Sequence, residues 1–270
     1  ADGTNARQVC VTLSEPPLDT QKHDIYKILK KLIETIGFWL LLPLSALQGL
    51  RLRRTAPRLP EAPGDRTGMS GQGQNLHLLA LGDSIIVGVG LGSTGHSLPA
   101  QLAAALAETR ACCVQWQLEG KNGADIAHLR RRIQQLQPEQ QVDVILISIG
   151  VNDVTGLISK SRWRSQCNAM LTDLRKKWPG ALVIFAGLPP MGKFPLPPQP
   201  LRFTLGKRAA ALDKIASEVI SEHVNIVHVP TEIDPQNQAF CADGFHPAAE
   251  SCQYWAMELA LRMKADNLHG

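Results

Sequence analysis

The run Val142-Asp-Val-Ile-Leu-Ile-Ser-Ile149 and the polar set that closes it, Gly150-Val151-Asn152-Asp153, decide the fold. A continuous apolar run of this kind, ended by glycine and turn formers, suits a central strand buried on both faces of a parallel sheet. The chain alternates on either side of it. Upstream, residues 76–81 form a short apolar run ended by Gly82, 98–108 are helical in pattern, and 113–118 read as a strand. Residues 124–136 are helical, with Ile126, Leu129, Ile133 and Leu136 near three-and-four spacing. Downstream, a helix over 162–178 is broken by Pro179-Gly180. A strand over 181–187, a long helix over 202–222, a strand over 224–229 and a closing helix over 248–264 follow. Five successive β-then-α units predict an α/β fold, a five-stranded parallel sheet with helices on both faces. In such sheets the ligand crevice lies outside the carboxyl ends of the strands.

Four of the five strand ends carry a polar set. Gly82-Asp83-Ser84-Ile85 follows the first, Gly120-Lys121-Asn122-Gly123 the second, Gly150-Val151-Asn152-Asp153 the third, and Asp243-Gly244-Phe245-His246 the fifth. Together they supply an acyl-transfer site. Ser84 is the candidate nucleophile; a hydroxyl needs a base in hydrogen-bond reach, and His246 can be that base. Asp243, three residues earlier, is placed to fix the imidazole tautomer. The backbone N–H groups of Ser84 and Gly123 and the side-chain amide of Asn152 are candidate oxyanion donors. Asp83 and Asp153 are expected to brace loops through backbone hydrogen bonds. Taken singly, each set is an ordinary turn or cap; four in order, each closing a strand, are not expected by chance.

These four blocks resemble the SGNH (GDSL-type) hydrolase family of esterases and lipases, with Ile85 where the name-giving pattern has Leu. The likeness covers roughly residues 76–264 and is nearest to bacterial single-domain esterases, thioesterases and lysophospholipases. It implies a three-layer, flavodoxin-like α/β/α fold, a Ser84–Asp243–His246 triad, a Ser84/Gly123/Asn152 oxyanion hole, and neither metal nor cofactor. The implied substrate is a small ester or acyl lipid. Thioesterase, lysophospholipase and carbohydrate acetylesterase activities stay open as alternatives, as does a non-catalytic membrane-tethered module.

Other patterns compete weakly. Gly90, Gly92 and Gly95 make a formal G-x-G-x-x-G, the pattern of a dinucleotide-binding domain, but it starts eight residues after the strand rather than at once. The run 88–95 is expected to be a mobile loop beside Ser84. The nucleophile elbow G-x-S-x-G is absent, with Ile86 at its last position. Cys241, close before Asp243, invites a cysteine-nucleophile reading, yet the oxyanion donors group around Ser84. His77, His96, His128, His223 and His228 lack metal-ligand spacing. The Pro-rich stretch 188–200 is expected to wall the pocket. Arg130-Arg131-Arg132 reads as a solvated helix face or an anionic-lipid contact.

The net charge of +4 is local. Residues 22–66 carry an excess of basic groups, whereas the rest of the chain is close to neutral. That argues against a nucleic-acid partner. The basic groups flank the most apolar run, residues 36–50, with Lys27, Lys30 and Lys31 before it and Arg51, Arg53 and Arg54 after it. The run is shorter than the about 20 residues of a spanning helix and contains Pro43, Ser45 and Gln48. Residues 22–54 are thus expected to contact a membrane, to pack on the protein's own surface, or to serve as an uncleaved targeting segment. A membrane-associated, periplasmic or secreted location follows from the first reading. Residues 1–21 read as a disordered leader that need not be native, 55–75 as a Pro/Gly-rich linker, and 76–270 as the hydrolase domain. The six cysteines form no C-x-x-C pair.

Overall fold

The computed structural model describes residues 40–137, 141–232 and 239–265. The chain divides into two units after Pro43. Of the first unit only residues 40–43 are described, as helix; residues 1–39, with the expectations placed on them, lie outside the described residues. In the second unit a helix, α1, occupies residues 44–55. It is followed by β1 (Thr67–Gly71), β2 (Asn75–Gly82), α2 (Leu98–Arg110), β3 (Cys113–Gly120), α3 (Ile126–Gln135), β4 (Val144–Ser148), α4 (Val151–Thr155) and α5 (Lys160–Lys177). The chain continues through β5 (Leu182–Ala186), α6 (Leu201–Ile220), β6 (Ile226–Val229) and α7 (Ala249–Ala265).

The strands form one sheet in the order β1-β3-β2-β4-β5-β6. β2 to β6 pair in parallel, as expected, and β1 adds an antiparallel edge. The sheet therefore has six strands rather than five. Alternation along each strand feeds two cores. Leu79 and Leu81 of β2 join Ile145, Ile147, Val183 and Phe185 under α3, α5 and α6, where Ile126, Leu129, Trp163, Leu174 and Leu212 are buried. Leu78 and Ala80 point the other way, with Leu146 and Ile184, against Leu98, Leu102 and Leu106 of α2 and Ala256 and Leu259 of α7. Trp163 anchors the first core, its buried indole N–H donating to Leu212 O at 2.9 Å. The result is a three-layer α/β/α arrangement.

Two segments depart from the sequence reading. Residues 55–75 are no linker. β1 pairs along β3 from Thr67 opposite Gln117 to Gly71 opposite Cys113. The residues before it are hydrogen-bonded too: Leu118 N–H donates to Arg66 O at 2.9 Å and Gly90 N–H to Pro60 O at 2.9 Å. The first half of the glycine run 88–95 is packed, with Val89 and Leu91 buried, while Gly92 and Gly95 in its second half are exposed. α2 starts only at Leu98, so no strand–glycine–helix unit exists for a dinucleotide. Arg130 pairs with Asp173 and Arg132 with Glu119, each at 2.8 Å, which ties two of the three arginines to the domain itself.

α1 docks on the domain through its polar residues. Gln48 Nε2 donates to Gln199 O at 2.8 Å while its Oε1 accepts from Leu201 N–H at 3.1 Å. Arg53 donates to Thr155 O at 2.7 Å, and Ser45 is buried.

The edge strand gives a direct test. Gly68 lies beneath Trp116, its cross-strand partner; a Cβ there would sit 2.3 Å from the indole. Gly68→Val should displace that ring and destabilise the protein by about 1–3 kcal/mol in urea unfolding. A neutral result would return residues 67–71 to the status of linker.

Candidate active site

Parallel register sets the site. Gly82, the last residue of β2, is level with Gly120 of β3 and with Ser148 of β4. The segments that leave these strands therefore start side by side. Ser84 follows β2 in a tight turn, in which Val87 N–H donates to Asp83 O at 3.3 Å and Val89 N–H to Ser84 O at 3.0 Å. Asp83 is fully buried beneath it, and its Oδ1 accepts from Ile85 N–H at 3.2 Å. Among the described residues Ser84 Oγ has no hydrogen-bond partner, which leaves it able to rotate toward a base.

Gly123 sits on the loop after β3. Its φ of +79° is strained for any side chain, and nothing lies within 4 Å of where a Cβ would stand. The backbone is thus open to a ligand on that side. Asn152 is on α4, whose first turn is N-capped by Gly150. Its Nδ2 donates to Ala124 O at 2.9 Å and faces Asp83 Oδ2 at 3.5 Å, linking all three loops. Asp153 Oδ2 accepts from Ile126 N–H at 3.0 Å, at the start of α3. Both acids do what the sequence suggested: they hold backbone.

Asp243 and His246 are joined by a folded turn between β6 and α7. Asp243 Oδ1 accepts from Phe245 N–H at 2.9 Å and His246 N–H at 3.0 Å, and its Oδ2 meets His246 Nδ1 at 2.5 Å. Burial pushes this carboxyl up, but the bonds from the His246 ring, His246 N–H and Phe245 N–H outweigh it and hold it below the usual carboxylate range. An ionised carboxylate only accepts, so Nδ1 is the donor in this contact and Nε2 is the ring nitrogen left for another partner.

Ser84 and His246 face one cavity of about 30 Å³. Phe194, Phe240, Phe245 and Trp255 give it an apolar wall. Phe194 sits edge-on to Phe240 and Phe245, with centroids 5.5 and 5.2 Å apart. Pro189 and Phe194 come from the Pro-rich stretch, as expected. The other three aromatics were not singled out from sequence; Phe245, inside the Asp-x-x-His turn, was the one with a signal. His96 does not line the cavity; its ring faces Ser93 Oγ at 3.4 Å. Cys241 Sγ lies 3.3 Å from Pro247 O. Burial and the charges of Asp243 and Glu250 push its thiol pKa up, the wrong direction for a nucleophile. Among the described residues no group of three or more His, Cys, Asp or Glu side chains converges as metal ligands would.

Residues 80–253 match the GDSL-like lipase/acylhydrolase family, a stretch that includes all four polar sets. The chain belongs to that family. The GDSL-like hydrolase domain is also similar to solved structures, at identities that speak for the fold alone. A lipase from a goat rumen metagenome is 21% identical with a TM-score of 0.58, covering 69% of this chain and 96% of its own. TesA is 22% identical with a TM-score of 0.53 and the same coverages. A family two carbohydrate esterase from Cellvibrio japonicus is 17% identical with a TM-score of 0.57, covering 70% of this chain and 61% of its own. No curated protein sequence matches the chain significantly.

The buried acids of this GDSL-like domain make stability depend on pH. Burial raises the Asp83 carboxyl to about 7, against the bond from Ile85 N–H and with help from the Asp153 charge. Burial likewise raises Asp153 to about 7. A carboxyl raised in the folded state binds more protons there than in the unfolded chain, from about pH 4 to about pH 7. The stability it contributes is full below that window and is lost as pH rises through it. The thermal midpoint should therefore fall from about pH 5 to about pH 8, and Asp83→Asn should flatten the fall. Equal slopes in variant and wild type would refute the assignment to Asp83.

Proposed function

We propose that the protein hydrolyses carboxylic esters through Ser84, His246 and Asp243 and an acyl-enzyme intermediate. The observation that carries this reading is the Asp243 Oδ2–His246 Nδ1 contact of 2.5 Å, with His246 and Ser84 lining one cavity. His246 Nε2 takes the Ser84 proton as Oγ attacks the ester carbonyl. Asp243 stabilises the imidazolium that forms. The carbonyl oxygen becomes an oxyanion and is met by Ser84 N–H, Gly123 N–H and Asn152 Nδ2. One Asn152 hydrogen is engaged with Ala124 O, whereas the contact to Asp83 is long at 3.5 Å, so the second is available to the developing charge. Collapse of the intermediate breaks the ester C–O bond, and His246 returns the proton to the departing alcohol. Water, deprotonated by the same nitrogen, then releases the acid and restores Ser84.

The aromatic wall favours an acyl group over a sugar on the acid side. The cavity is small, with room for little more than one or two waters as it stands, and we take that to favour a short acyl group over a long one. p-Nitrophenyl acetate or butyrate should be cleaved with higher kcat/KM than the palmitate. A thioester preference in a matched acyl-CoA series would move the reading to an acyl thioesterase.

A membrane contact through α1 is a second part of the reading. With Ser45, Gln48 and Arg53 turned to the domain, Leu44, Leu47 and Leu50 are left 48%, 65% and 56% exposed, beside the exposed Arg51 and Arg54. Among the described residues no helix is long and apolar enough to cross a membrane. The contact we infer is interfacial, with leucines at the acyl boundary and arginines at anionic headgroups.

Ser84→Ala should lower kcat by about 10³-fold or more on p-nitrophenyl acetate. Activity close to wild type would sink the triad. Asn152→Ala should cost about 2.7–4 kcal/mol of transition-state stabilisation, read as a lower kcat; a change in KM alone would make Asn152 a substrate contact. Asp243→Asn should impair activity less than Ser84→Ala, and full activity would show that the base needs no carboxylate. Leu47→Glu with Leu50→Glu should abolish co-sedimentation with phosphatidylglycerol vesicles and leave ester hydrolysis intact. Undiminished sedimentation would remove α1 from the membrane.

A further inference from the structure

Residues 59–66 precede the stretch that matches the family, yet they hold the two loops that carry Ser84 and Gly123. Their backbone closes over the turn after Ser84. Gly90 N–H donates to Pro60 O at 2.9 Å, Ala62 N–H to Val87 O at 3.1 Å, and Thr94 N–H to Pro63 O at 3.0 Å. Their side chains reach the neighbouring loop. Glu61 Oε1 accepts from Asn122 N–H at 2.9 Å. Arg66 Nη1 donates to Gly120 O at 3.0 Å, and Nη2 holds Glu61 Oε2 at 2.7 Å.

The loop has few other ties. Lys121 N–H reaches Gly82 O at 3.4 Å, a long bond, Ala124 N–H closes a turn onto Lys121 O at 3.1 Å, and Ala124 O receives Asn152 Nδ2. Gly123 lies between these ties, with open space where a side chain would be. The turn from Lys121 to Ala124 carries Asn122 and Gly123 as one unit, so the direction of the Gly123 N–H follows the peptide before it. That peptide belongs to Asn122, the residue Glu61 grips.

We propose that Glu61, held by Arg66, is a positioning residue for ester hydrolysis, fixing Asn122 so that the Gly123 N–H points at the oxyanion. The proposal rests on the active-site reading above. The ion pair is half-exposed, with the side chains 49% and 33% accessible, and such pairs add little to folding stability. Its effect on the loop is different in kind, because a donor misplaced by about 1 Å can cost on the order of 10²-fold in rate. Catalysis and stability should therefore separate in one variant.

The test uses the full chain and p-nitrophenyl acetate. Glu61→Ala should lower kcat about tenfold with little change in KM, and its melting temperature should stay within about 2 °C of wild type. Glu61→Gln keeps an oxygen for Asn122 N–H and should recover most of the rate. Hydrogen exchange at residues 120–124 should quicken in Glu61→Ala and not in Glu61→Gln. An unchanged kcat, unchanged exchange, or a rate loss that merely tracks a lower melting temperature would each overturn the role. Ser84→Ala run alongside separates the two levels. If it is inactive while Glu61→Ala is fully active, the site stands and only the role of Glu61 fails. If Ser84→Ala is as active as wild type, the site assignment fails and the role of Glu61 falls with it.

Discussion

Parallel pairing sets Gly82 opposite both Gly120 and Ser148, so three strands end on one line. Everything the site contains hangs on that register. A slip of one residue would turn every side chain to the opposite face and move the three loops out of reach of each other. The register is itself held by burial on both faces, where Leu79, Leu81, Ile145 and Ile147 face one core and Leu78, Ala80 and Leu146 the other. Hydrophobic packing, far from the chemistry, thus fixes where Ser84, Gly123 and Asn152 can meet. One side-chain amide then locks the arrangement, because Asn152 bonds the β3 loop while its own helix starts from β4.

The strands and the polar sets at their ends were readable because both follow from local pattern. A buried parallel strand has to be apolar throughout, and the residues just beyond it are the ones that break the pattern. Ser84, Gly123 and Asn152 stood out on that ground, whereas Asp243 and His246, well past the end of β6, stood out by their Asp-x-x-His spacing and the family resemblance. Legibility stopped where tertiary partners decide structure. β1 reads Thr-Gly-Met-Ser-Gly, with two glycines and no β-branched run, and it is a strand only because β3 offers an edge and Trp116 covers Gly68. Residues 59–66 have linker composition, and nothing local announces that Pro60, Glu61, Ala62 and Pro63 have partners across the chain. The glycines of 88–95 suggested mobility, but the same upstream segment packs against Gly88 and Gly90, while Gly92 and Gly95 stay exposed.

The apolar run around Trp39 shows the same limit from the other side. Ser45 and Gln48 looked like flaws in a membrane segment. In the fold they are the residues that bind the domain, Gln48 using both ends of its amide on the backbone of residues 199 and 201. A helix so attached cannot also bury that face in hydrocarbon, since the amide bonds would have to break with no replacement partner. The polar residues therefore sort the helix into a protein face and a solvent face, and only the second is free for lipid.

The site also holds a conflict between its own parts. Asp83 and Asp153 sit behind the proposed oxyanion donors, buried enough to be pushed to about 7. Near neutral pH each is poised between a proton and a charge that burial disfavours, which is a poor choice for stability alone. What they supply is geometry. Each accepts a backbone N–H that begins a turn or helix, Ile85 after the nucleophile and Ile126 after the oxyanion loop. Asp243 shows that the same sheet end can hold a carboxylate comfortably when a histidine ring and two N–H groups face it. The difference lies in depth as well as partners: Asp83 and Asp153 are the more deeply buried, and Asp83 feels the charge of Asp153 and Asp153 that of Asp125, whereas Asp243 has a histidine ring to offset its burial. The loops the two strained acids hold gain order at the expense of global stability, the trade expected where position matters more than fold.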